Sequence, residues 1–387
     1  MFRQLLRVNW YPNAVDEVAY SGRKWLSLDS FFALLMFIGT VSLHYYLHHA
    51  MSYYEQAMLV GAAITLTMLA WHWKALQWFV LAVTSISLIA IHFYGGDLAQ
   101  AEQNFWLRYL LSSQSAVLWM CCLFVLAMLL YWFGVMLTAL NPFATALCWA
   151  AAAAAFTALL LRWYESYLLG VDIGHIPLAN LYDVFILFCL ITTLMYLYYA
   201  DRFQIKQMGV LVLPILVAAV GFILWYSLER HAHQIRPLVP ALQSWWMKIH
   251  VPANFIGYAA FSLAAMLALG QLLLSRGRCA RYLPTYEVLG QIMYQAIAVG
   301  FLFFTLATLL GAMWAADAWG SYWSWDPKEV WALIVWFNYA AWLHMRQVKG
   351  WRGDRLAWWA LIGLFITAFA FLGVNLFLSG LHAYGEL

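Results

Sequence analysis

The chain has 387 residues, 66% of them hydrophobic and 10% charged, with a formal net charge of +3. That composition excludes an ordinary soluble globular protein. The small net charge identifies no polar partner, and no nucleic-acid partner is expected.

Residues 1–29 carry Arg3, Arg7, Asp16, Glu17, Arg23, Lys24 and Asp29, without a short apolar core before a small-residue cleavage site. A cleavable signal peptide is therefore not expected. Beyond them, apolar runs approach or exceed the roughly 20 residues that cross a bilayer as helix. They predict about eleven transmembrane helices, at residues 30–48, 55–72, 75–94, 115–138, 143–163, 181–199, 208–228, 250–275, 290–313, 329–345 and 356–377. The expected fold class is all-α and polytopic. Ala150–Ala155 reads as a close-packing surface. Cys121, Cys122, Cys148, Cys189 and Cys279 form no C-x-x-C pair, and four of them lie in apolar runs. That argues against disulfide exchange and against the chain being itself a c-type cytochrome. Each reads as a small buried hydrophobe.

With the N-terminus cytoplasmic, fourteen Lys and Arg residues fall on the cytoplasmic side. Only Arg108, Arg162, Arg230, Arg236, Lys248 and Lys328 fall on the other. This positive-inside bias predicts an extracytoplasmic C-terminus. Two outer loops are long: residues 165–180, with D-I-G-H-I-P-L-A-N, and 229–249, with R-H-A-H and P-L-V-P-A-L-Q-S-W-W. The second has the amphipathic character of a segment lying on the membrane surface.

Residues 314–331 read W-A-A-D-A-W-G-S-Y-W-S-W-D-P-K-E-V-W. Trp314, Trp319, Tyr322, Trp323 and Trp325 precede Asp326 in a stretch expected to form a short loop at the outer face, and Gly320 permits close backbone approach. Such a density of rings suits a flat, π-rich ligand such as a porphyrin. The competing reading is an interfacial aromatic belt. Asp326, Pro327 and Glu329 have the pattern of N-cap, N1 and N3 of the next helix.

Of eleven histidines, most fall at or beyond the outer face, where a histidine is ordinarily an interfacial polar residue. His250 opens the eighth span in W-W-M-K-I-H-V-P, and His382 follows the last in S-G-L-H-A-Y-G. A helical bundle can bring both beside the aromatic stretch, and iron in a porphyrin takes an axial imidazole on each face. His344, in A-W-L-H-M-R near the cytoplasmic boundary, is either a functional intramembrane residue or one snorkelling beside Arg346.

The block W-G-S-Y-W-S-W-D-P-K-E resembles the tryptophan-rich WWD signature of haem-handling membrane proteins. G-H-I-P-L-A-N-L-Y-D at 174–183, L-V-P-A-L-Q-S at 238–244, H-V-P-A-N-F-I-G-Y-A-A at 250–260 and G-V-N-L-F-L-S-G-L-H-A-Y-G at 373–385 extend the resemblance. Together they are similar to the cytochrome c biogenesis proteins of the CcsA (ResC) type. The resemblance implies a haem-handling domain over residues 111–387, preceded by an extra membrane region of about three helices at 1–110. It implies haem b in transit, held at an outer site by His250 and His382 over Trp314, Trp319, Gly320, Tyr322, Trp323, Trp325 and Asp326. His344 corresponds to a ligand of an inner site. The implied activity is haem delivery to, and attachment onto, apocytochromes c with C-x-x-C-H motifs. A holocytochrome c synthase (haem lyase) activity is expected only in complex with a CcsB/ResB-type membrane partner, with thiol-reducing accessory proteins. The implied location is a bacterial inner membrane with the WWD loop facing the periplasm. Two alternatives are a haem loader without attachment activity and an integral electron-transfer cytochrome, the latter needing ligand pairs buried across spans.

Overall fold

The structure, a computed structural model, describes residues 28–49, 51–279, 281–378 and 380. No strand occurs among them. Eleven helical segments coincide with the eleven predicted spans: α1 (Leu28–Leu47), α2 (Tyr53–His72), α3 (Lys74–Tyr94), α4 (Ser113–Gly134), α5 (Asn141–Leu169), α6 (Leu181–Arg202), α7 (Gly209–Arg230), α8 (Met247–Ser275), α9 (Tyr286–Trp319), α10 (Pro327–Gln347) and α11 (Asp354–Ala368). The last continues through a π-helical turn, Phe369–Gly373, into Val374–Phe377. Nine segments are long and apolar enough to cross a membrane. The remaining two, α2 and α10, are of similar length but less apolar, α10 having Lys328 and Glu329 in its first turn. The protein is an all-α, multi-pass membrane protein.

Local chemistry accounts for the helix ends. Ser112, Asn180, Thr285 and Asp326 each cap the helix that follows by accepting a backbone N–H in its first turn. Helix α9 runs to Trp319 rather than stopping near Met313, because Ala315, Ala316 and Ala318 continue it until Gly320, at φ +79°, closes it. Trp314 and Trp319 are therefore helical. The aromatic loop is shorter than expected, about residues 320–326.

The described residues form two compact units, divided between Gln77 and Trp78. The packing boundary thus falls earlier than the sequence division near residue 110, and most of α3 belongs to the larger unit. In the smaller unit Lys74 pairs with Asp29, which also accepts from Gln77, and Ser52 with Glu55 makes a capping box on α2.

Within the larger unit α8 is the most buried of the candidate spans. Its alanines, including Ala260 and Ala264, and its Gly257 permit close crossing of neighbours. A Cβ on Gly257 would meet Phe304 of α9, and one on Gly300 would meet Ala260 of α8. The first turns of α6, α8 and α10 and the last turns of α7, α9 and α11 line one cavity, so successive helices alternate in direction. The opposite end gathers cations on aromatic faces: Arg276 on Trp358, Arg346 on Tyr294 and Arg355 on Trp351.

Candidate functional site

The cavity holds about 1560 Å³ of space unfilled by atoms, its open mouth included. His250, Trp314, Tyr322 and Trp323 line it, with Asn254, Tyr258, Phe304, Lys328, Glu329, Phe371 and Asn375. Four residues singled out in the sequence therefore converge on one space.

His250 sits one turn into α8. Its Nδ1 lies 2.7 Å from the carbonyl oxygen of Ala307 on α9. A carbonyl only accepts, so Nδ1 carries the proton and the lone pair of the neutral ring is at Nε2. Asn254 Nδ2, one helical turn further on, donates to Nε2 at 3.4 Å. A metal-ligating histidine is characteristically oriented in this way, one ring N–H held by a carbonyl so that the lone pair is at the other nitrogen. Gly311 is required for it: a Cβ there would come within 2.8 Å of His250 Cε1. The ring stands edge-on to Trp314, with centroids 5.6 Å apart.

The tryptophans take different places. Trp314 is 6% exposed and donates from Nε1 to the Ala241 carbonyl at 3.0 Å. Leu242 and Met247 form a buried cluster with it. Between Arg230 and Met247, among the described residues, the regular structure of this loop is a short 3₁₀ turn, Pro240–Leu242, whose Leu242 packs onto Trp314 of α9. Trp319 stacks on Trp314 at 6.4 Å without lining the cavity. Trp325, at φ +60° and 72% exposed, stands outside the cavity at right angles to Trp323. Gly320 is also exposed and apart from it.

Asp326 is the expected N-cap. Its carboxylate accepts from Lys328 N at 2.9 Å, while Glu329 Oε2 accepts from Asp326 N at 3.2 Å and Ser324 N at 2.8 Å. This capping box sets where the loop turns into α10. Gly380 approaches so closely that a Cβ on it would run into Asp326 Oδ2. The chain beyond α11 therefore returns to the cap of α10. His382 lies outside the described residues.

His344 is exposed near the C-terminal end of α10. Eighteen residues of helix separate it from Asp326, about 27 Å at 1.5 Å per residue, so it belongs to the opposite end of the bundle. Among the described residues no group of three or more His, Cys, Asp or Glu is arranged to hold a metal ion. The fit to a porphyrin iron rests on the imidazole of His250 and the aromatic walls. Asn254, the Ala307 carbonyl, Gly311 and Phe371 were not visible as site residues in the sequence. Only the G-H-I-P-L-A-N-L-Y-D block hinted at the wall that Leu178, Asn180 and Leu181 form.

Residues 178–382, a little over half of the chain, match the family described as Cytochrome C assembly protein. The chain is 40% identical over 233 residues to the cytochrome c biogenesis protein CcsA of Chlamydomonas reinhardtii, a match covering 59% of this chain and 64% of that protein. It is 36% identical over 255 residues to the same-named protein of Parasynechococcus marenigrum, covering 59% and 81%. With the Heterosigma akashiwo CcsA it shares 32% identity over 309 residues, 69% of this chain and 93% of the other. The match thus spans less than two thirds of the Chlamydomonas protein and most of the other two. The family match falls on the segment that builds the cavity, and the chain belongs to the cytochrome c assembly protein family.

Proposed function

We propose that this chain acts in cytochrome c biogenesis by holding haem b at the cavity in the larger unit and presenting it to apocytochromes c. One observation carries this reading: His250 is fixed by the Ala307 carbonyl in the tautomer that leaves Nε2 as the donor, within a cavity walled by Trp314, Trp323 and Phe371. Iron would be ligated by His250 on one face, and the π-faces of the walls would orient the ring. His382 is proposed as a second residue that would hold the iron, supported by the return of Gly380 to Asp326. Trp319, Gly320 and Trp325 would shape the loop rather than touch the ring. His344 is proposed to serve an inner site, on the resemblance described above.

The cavity is assigned to the extracytoplasmic side, facing the periplasm. The gathering of Arg276, Arg346 and Arg355 at the opposite end supports this orientation. Joining haem to the cysteines of a C-x-x-C-H motif is assigned to a complex with a CcsB/ResB-type membrane partner.

The test is the absorption spectrum of the purified complex with His250→Ala. The wild type is expected to carry six-coordinate, low-spin haem. The variant should lose haem or turn high-spin, and added imidazole should restore the low-spin form. A low-spin spectrum and full haem content in His250→Ala, at normal protein levels, would overturn the assignment.

A further inference from the structure

The cavity wall contains a cation that makes no ion pair with a carboxylate among the described residues. Lys328, the second residue of α10, lines the same space as His250 and Trp323. Among the described residues no carboxylate comes within ion-pair distance of its ammonium; the two ion pairs found are Lys74–Asp29 and Arg162–Asp183. The neighbouring carboxylates are engaged elsewhere. Asp326 Oδ1 accepts the backbone N–H of Lys328, and the two oxygens of Glu329 accept from Ser324 and Asp326. The ammonium instead donates to the Phe371 carbonyl at 3.1 Å, in the π-helical turn of α11, and lies over the Phe371 ring at 5.7 Å. A neutral carbonyl is a weaker partner for an ammonium than a carboxylate. That same carbonyl has a second donor, Asn375 Nδ2 at 3.0 Å, so it stays satisfied if the ammonium turns away.

We propose that Lys328 is the anchor for an ionised carboxylate on the edge of the ligand that His250 holds, with the Phe371 carbonyl as its resting partner. The proposal rests on the haem reading above and adds a requirement to it: the ligand must be a planar ring bearing a free acid. His250 then recognises the centre of the ring and Lys328 its acidic edge. Two contacts at different points on one ring fix its rotation as well as its plane, which stacking on tryptophan leaves free.

The experiment uses the full chain in lipid nanodiscs, titrated with iron protoporphyrin IX and, separately, with its dimethyl ester. A charge-assisted hydrogen bond corresponds to about a tenfold to hundredfold difference in affinity. The wild type should prefer the free acid by that factor. Lys328→Met should lose the preference by weakening the free acid only, and Lys328→Arg should keep much of it. Thermal melting of the ligand-free Lys328→Met protein should match the wild type. Undiminished preference in Lys328→Met overturns the anchor while leaving the haem reading in place. Equal loss of both ligands together with a lowered melting temperature makes Lys328 a structural residue and also overturns it. Binding that is indifferent to His250→Ala for both ligands overturns the haem reading and the anchor with it.

Discussion

Arg162 and Lys328 both lie at the end of the bundle that holds the cavity, and the fold treats them differently. Arg162 of α5 is enclosed with Asp183 of α6, their side chains 2% and 3% exposed and 2.7 Å apart. Its guanidinium also donates to the His233 carbonyl at 2.8 Å and lies over the Tyr182 ring. Nearby, Glu165 accepts from Tyr94, Ser113 N and Ser113 Oγ. The buried charges there are thus met by protein partners. Around the Lys328 ammonium the described residues supply a carbonyl, a ring face and the more distant charge of Asp326. Burying a charge is costly unless it is paired, and Lys328, partly buried beside the cavity, makes no ion pair with a carboxylate among the described residues. The Arg162 region holds α5, α6 and the 231–234 turn together. Through Asn180, whose side chain caps α6 and donates to the Ala232 carbonyl, it places the wall that Leu181 and Val184 present to the cavity.

The sharpest way to break this contrast is Arg162→Leu, which leaves Asp183 enclosed without its partner. A loss of about 3–5 kcal/mol is expected from breaking a buried pair, read as a fall in melting temperature or in protease resistance. Replacing Asp183 as well, with Leu, should recover much of it. A silent single substitution would remove the distinction between the two regions.

Gly311→Ala tests the cavity side. The added methyl meets His250 Cε1, and such overpacking costs about 1–3 kcal/mol. The imidazole should be displaced from the Ala307 carbonyl, lowering the low-spin fraction of bound haem more than it lowers protein stability. An unchanged spectrum would mean that the ring position seen here is not the one that ligates.

Asp326→Ala removes the N-cap of α10. About 1 kcal/mol, within a range of 0.5–2, is expected, appearing as faster amide hydrogen exchange in residues 320–330 and leaving the Arg162 region protected. Equal acceleration in both regions would show that they are not independent.

The smallest effect belongs to Trp325→Leu. The ring is 72% exposed and outside the cavity, so stability should change by less than about 0.5 kcal/mol and haem content should hold. Loss of haem would return Trp325 to the ligand site.

Much of this architecture was legible in the sequence, for reasons that can be named. Nine of the segments showed because a bilayer demands an uninterrupted apolar run. The start of α10 showed because Asp326, Pro327 and Glu329 interact only with their own neighbours. The start of the aromatic loop was expected after Met313 and lies at Gly320 instead, since the alanines give the helix no reason to stop. His250 stood out by its company of aromatic and proline residues.

What the sequence alone determined is therefore what depends on local chemistry: the helical class, the run of helical segments, the cap of α10, and the block of rings that carries the family resemblance. Tertiary structure decided everything that depends on how each helix is rotated about its axis. Helices bordered by lipid on one side and by apolar neighbours on the other show little contrast between faces. Nothing in the pattern along α9 therefore says that Ala307 and Gly311 face His250, 57 residues away along the chain in the case of Ala307. The same limit hid the pairing of Arg162 with Asp183 and the π-helical turn that presents Phe371 to Lys328. Those contacts exist only once the helices have packed against one another.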